Sequence, residues 1–159
     1  MGTANAHVKM LVHLEQDEDG YPPTSEESLW VLPLEDGLFQ VDNTPFFAWD
    51  LALGDVVAAD PEEGMWRFRQ VVRRSGHSTL RLLIYDVAEV PGVLERFTSL
   101  GCLSERSHIP GLVALDVPPS TPWAEVKRLL TEGGAAERWG YEEACLPNED
   151  SHPVGLAPI

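Results

Sequence analysis

A chain of 159 residues, 43% of them apolar, can bury a core without help from metals or disulfides. Its net charge of −15, from 26 acidic against 11 basic side chains, repels phosphate backbones, which argues against nucleic acid as a partner. No stretch approaches the roughly 18 apolar residues of a membrane span, and the start Met-Gly-Thr-Ala-Asn-Ala lacks a basic then apolar leader, so a cytoplasmic protein is expected.

Residues 1–7 read as a frayed end, Val8 to Leu14 as a strand, and Glu15 to Pro23 as an acidic loop punctuated by Gly and Pro. His7 and His13 have no companion at metal-ligand spacing. Ser28 to Leu34 and Leu38 to Val41 flank Glu35-Asp36-Gly37, where Asp-Gly supplies the positive φ of a tight hairpin. Phe46, Phe47 and Trp49 read as core residues, with a pocket lining as the alternative. Leu53 to Ala59 is a turn feeding a short strand, and Asp60 to Gly64 is another turn. From Trp66 to Arg73, Trp66, Phe68 and Val72 alternate with Arg67, Arg69 and Arg73, which predicts one apolar and one basic face. Short strands with turn signals and no helix argue for a small barrel or curled sheet over residues 1–79.

The rhythm then changes. Leu80 to Tyr85 is a nearly continuous apolar run, as in a central strand. Pro91 suits the first turn of a helix whose Val93, Leu94, Phe97 and Leu100 recur at helical spacing, with Gly101 as its stop. Cys102 to Ile109 and Leu112 to Val117 read as strands around a Pro110-Gly111 turn. Ser120 or Thr121 can cap a second helix with Pro122 at its first position; Trp123, Val126, Leu129 and Leu130 form its inner face and Gly133-Gly134 its end. Tyr141 to Leu146 is the last strand, and residues 147–159 read as a loose tail.

Strand, helix, strand, strand, helix, strand is the ferredoxin-like (βαββαβ) order, expected over residues 80–146. The fold class is therefore α+β, a small β-barrel-like half fused to a ferredoxin-like half. In that topology the apolar runs Leu80 to Ile84 and Leu112 to Leu115 are central, and the strands carrying Glu105, Arg106, Glu142 and Glu143 are edges. Cys102 and Cys145 then sit on opposite edges, about 14 Å apart, and stay reduced.

Arg73-Arg74-Ser75-Gly76-His77-Ser78-Thr79, at the junction of the halves, is the most suggestive cluster. Gly76 lets the backbone turn, hydroxyls and amides can donate, the arginines can clamp an anion, and the His77 imidazole can titrate near neutral pH. The ligand-binding candidates are Arg73, Arg74, Ser75, His77 and Ser78. The plainer reading is a polar turn whose arginines neutralise Asp60, Glu62 and Glu63. Ser-Gly-His-Ser lacks the strand-to-helix setting of a nucleophile elbow, so no catalytic residue is assigned. Cys102 with His108, or His77 with Asp55, falls short of a zinc site, and neither metal nor cofactor is expected. Cys102 and His108, six residues apart on one strand, are about 20 Å apart and cannot form a thiol–imidazole pair. Leu80 to Tyr85 also lacks the aromatic platform of RNA-binding sheets.

Asp17 to Pro23, Glu27 to Trp30, Asp42 to Phe47, Leu53 to Val57 and Ser75 to Arg81, in that order, resemble the bacterial domain of unknown function 4265 family. The resemblance runs from about Val8 to Leu146, says nothing of activity and carries over no established catalytic residue. The expected function is non-catalytic binding of a basic protein through an acidic surface, as an immunity, self-protection or regulatory protein. The alternative is a small enzyme or binding protein for an anionic metabolite held at Arg73 to Thr79. Mixed-charge edge strands neither demand nor forbid a dimer.

Overall fold

The computed structural model describes residues 6–147. The predicted frayed start through residue 5 and the predicted tail beyond Pro147 lie outside the described residues. Five strands, β1 (Val8–His13), β2 (Glu26–Pro33), β3 (Phe39–Val41), β4 (Val56–Glu62) and β5 (Met65–Arg73), close into a barrel in chain order. Parallel pairing of β1 with β5 completes the ring, so none of the five is left with an unpaired edge. Met10, Val12, Leu29, Val31, Phe39, Val41 and Val57 fill its interior. The tight β2–β3 turn has Gly37 at φ 75°, the geometry its Asp-Gly pair favours.

Strand β5 departs from the predicted alternation. Trp66 and Phe68 pack on the barrel core as expected, but Val71 joins them and Val72 is 50% exposed. The cause is two irregularities in the β4–β5 ladder, where Ala58 opposes Gln70 but Ala59 opposes Phe68, and Val57 opposes Val71 but Val56 opposes Arg73. Arg69 and Val72 are thus extra residues, each reversing the facing of the residues beyond it. Such bulges add the coiling that a five-stranded ring needs, which simple period-two counting does not foresee.

The second sheet contains β6 (Ser78–Ile84), β7 (Leu103–Arg106), β8 (Leu112–Val117) and β9 (Trp139–Cys145) in the order β7-β8-β6-β9, every pair antiparallel. Helices α1 (Val90–Leu100) and α2 (Trp123–Ala135) cover one face. Val93 and Phe97 from α1 and Val126 and Leu130 from α2 pack there against Leu80, Leu82, Ile84, Val113 and Leu115. The predicted stop at Gly101 is present: its φ is 112° and its amide donates to the carbonyls of Phe97 and Thr98.

Four local expectations are corrected. Strand β7 is shorter than Cys102 to Ile109, and the last strand begins at Trp139 and not Tyr141. Pro122 is the N-cap of α2, no side chain caps that end, and the Thr121 hydroxyl turns to the Gly101 carbonyl. Gly133 and Gly134 do not end α2 but lie within it, because a Cβ at Gly133 would come within 1.9 Å of the Trp139 indole. Close packing outweighs the helix-breaking tendency of glycine there. No helix among the described residues is long and apolar enough to cross a membrane.

Candidate functional site

The other face of the second sheet is where barrel and sheet meet, and residues 42–55, between β3 and β4, fill the junction. Strand alternation places Thr79, Arg81 and Asp116 on that face, each with 1% exposure or less. Arg81 donates to Glu142 at 2.9 Å and to the carbonyls of Ala48 and Phe47 at 2.8 and 3.1 Å, with its guanidinium 5.1 Å from the Trp49 ring centroid. The Thr79 hydroxyl donates to the Leu51 carbonyl at 2.7 Å. From the barrel side, the Glu27 carboxylate accepts from the amides of Phe46, Phe47 and Ala48 at 2.6, 3.1 and 2.8 Å. Glu105 accepts from the Thr44 amide, and the Asp50 amide donates to Ala144. The connecting segment is thereby fixed at several points by hydrogen bonds to buried or partly buried polar groups, which select one arrangement.

Within this frame the predicted cluster divides. Arg74 is committed internally: it donates to the Asp50 carbonyl at 2.6 Å and lies 3.3 Å from the Asp50 and 3.4 Å from the Asp55 carboxylate. Asp55, 1% exposed, also accepts from the Ser75 amide at 2.8 Å and the Ala52 amide at 3.0 Å. The Ser75 hydroxyl donates to Leu53 and accepts from the His77 amide. Arg73 lies exposed at the end of β5, apart from this group. The expected neutralising pairs also differ, because Glu62 and Asp60 are met by Arg67 and Arg69 across the β4–β5 hairpin and not by the arginines of the junction.

His77 Nδ1 stands 2.8 and 3.0 Å from the two oxygens of Asp116, which is fully buried. A carboxylate only accepts, so Nδ1 carries the proton and Nε2 is the basic nitrogen. Burial pushes the Asp116 carboxyl above its ordinary value, an effect the His77 bond opposes. Ser78 points elsewhere: with Gly76 it lines a cavity of about 390 Å³ bounded also by Val117, Pro119, Trp123 and Leu146. His77 is not among that cavity's lining residues. Cys102 and Cys145 are buried and not joined in a disulfide, and burial, with a smaller effect from Asp116, pushes the Cys102 thiol up to about 11. No group of three or more His, Cys, Asp or Glu among the described residues could hold a metal ion.

Asp55, Asp116, Arg81 and Glu27 organise the junction, and the motif reading missed them in that role. A signal existed for two of them. Arg81 and Asp116 are lone charges inside the apolar runs of β6 and β8, and a charge in a central strand demands a buried partner.

The family model described as "Domain of unknown function (DUF4265)" matches residues 27–141, from β2 into β9 and across the whole junction. A crystal structure of a hypothetical protein from Neisseria gonorrhoeae is similar with a TM-score of 0.77 and 25% identity, covering 91% of this chain and 98% of that one. No curated protein matches the chain significantly.

Proposed function

We propose that this chain, which belongs to the DUF4265 family, is a non-catalytic binding protein whose acidic surface docks a basic protein, in an immunity, self-protection or regulatory role. One observation carries the reading. Six of the 11 Lys and Arg side chains, Arg67, Arg69, Arg74, Arg81, Lys127 and Arg138, are held in ion pairs with the chain's own carboxylates. The surface offered to a partner is thus poor in free cations, while Glu15, Asp17, Glu18, Asp19, Glu35, Asp36 and Glu63 are exposed. Such a field speeds and orients encounter with a basic surface and repels acidic ones.

The C-terminal half is read as ferredoxin-like, supported by the order β7-β8-β6-β9 with α1 and α2 on one face. The barrel and this half, divided near residue 79, are treated as two units joined at a polar interface. A cytoplasmic location accords with two buried thiols not joined in a disulfide. The test is capture on the immobilised protein followed by binding at rising ionic strength. A basic partner whose affinity falls steeply with salt is expected; an acidic or neutral partner held equally at low and high salt overturns the reading.

A second reading, an anionic ligand at the junction, is favoured by His77, whose Nδ1 is fixed by Asp116 so that Nε2 can serve as base or acceptor. In that reading His77 contributes more than Arg74, whose charge is already matched.

A further inference from the structure

We propose that the cavity between the start of β6, the β8–α2 connection and the end of β9 binds a small apolar carboxylate. Its volume, about 390 Å³, lies at the small end of ligand sites, and Val117, Pro118, Pro119, Trp123 and Leu146 give it apolar walls. Two side chains on it can donate and are unpartnered among the described residues. Ser78 is only 6% exposed, lines the cavity, and its hydroxyl has no hydrogen-bond partner among the described residues. Trp123 lines the same cavity, and its indole N–H also lacks an acceptor among them.

Helix α2 begins at this wall. With Pro122 as N-cap and no side-chain cap, the amides of Trp123 and Ala124 have no acceptor among the described residues, and they form the positive end of a 13-residue helix. Thr121, whose hydroxyl the sequence offers as a cap, is engaged with the Gly101 carbonyl at 3.3 Å.

These features select the ligand. A hydroxyl, an indole N–H and helix amides meet acceptors, and the helix end favours negative charge. Among the described residues, no carboxylate lines the cavity. No Lys or Arg lines it either, which suits a monoanion with an apolar body better than a phosphate dianion. The inference rests on the anionic-ligand reading, gives it a ligand class, and moves it from Arg73 and Arg74 to Ser78 and Trp123. It shares no residue with the acidic surface.

The probe is 4-fluorophenylacetate, followed by its fluorine resonance on titration with the full chain, beside the uncharged 4-fluorophenylacetamide. The acid is expected to bind at least about tenfold more tightly than the amide, the scale of a hydrogen bond to a charged group. Ser78→Ala, and Trp123→Phe, which keeps an aromatic ring and removes only the N–H, should each weaken the acid about tenfold, with folding checked by circular dichroism. Equal binding of acid and amide, no binding of the acid, or unchanged affinity in both folded variants overturns the proposal. Inorganic phosphate is titrated in parallel: phosphate that perturbs the His77 ring signals, with no discrimination between acid and amide, overturns the carboxylate site and leaves the broader anionic-ligand reading standing.

Discussion

The two faces of the second sheet are made by alternate residues of the same strands, yet they are held by different physics. On the helix face, Leu80, Leu82, Ile84, Val113 and Leu115 are buried against α1 and α2, and their contribution is area removed from water. On the barrel face, Thr79, Arg81 and Asp116 are equally buried, and their contribution depends on each polar group finding its partner. Apolar packing loses stability in proportion to what is removed. A buried polar network loses much more when one member goes, because the remaining members are stranded. The helix face therefore supplies bulk stability, and the barrel face fixes how residues 42–55 and the barrel sit on the sheet.

The sharpest way to break this contrast is Arg81→Met. It leaves Glu142 and the carbonyls of Phe47 and Ala48 without their donor, at an expected cost of about 3–5 kcal/mol in urea unfolding. Adding Glu142→Gln should recover part of that loss, since the stranded charge is then gone. Failure of the second substitution to recover anything would mean that Arg81 acts through packing alone. On the opposite face, Gly133→Ala drives a Cβ into the Trp139 indole and should cost about 1–3 kcal/mol or more by the same measurement. A neutral result there would show that the helix face yields more easily than its packing suggests.

The smallest effect is one of pH. The folded carboxyl of Asp116 is raised above its ordinary value by burial, so the folded state holds that proton more tightly than the unfolded state does. Its contribution to stability is complete below the ordinary carboxylate value and is lost as pH rises through the raised one. Asp116→Asn removes this loss, so its stability relative to the parent should improve over that rise. Parallel stability curves for the two proteins would dismiss the burial effect attributed to the Asp116 carboxyl.

Element order was legible because it rests on local chemistry. Asp36-Gly37 marked the hairpin, the spacing of Val93, Leu94 and Phe97 marked α1, and Gly101 ended it. The predictions failed where a distant residue overruled the local one. Trp139 needs a glycine inside α2, and barrel closure inserts Arg69 and Val72 as extra residues that turn Val71 inward. The same division holds for the site. The stretch from Arg73 to Thr79 was recognisable as a junction, but Asp50 and Asp55 draw Arg74 inward, Asp116 takes His77, and Ser78 faces a separate cavity.

By itself the sequence determined the acidity of the surface, the identity and order of most elements and the apolar character of the two central strands, since charge, helical period and turn residues act over a few positions. Only the tertiary structure decided which charges meet. That choice depends on which carboxylates and carbonyls residues 42–55 bring to Arg74 and Arg81, partners 19 to 36 positions away along the chain, and local composition carries no record of such pairings.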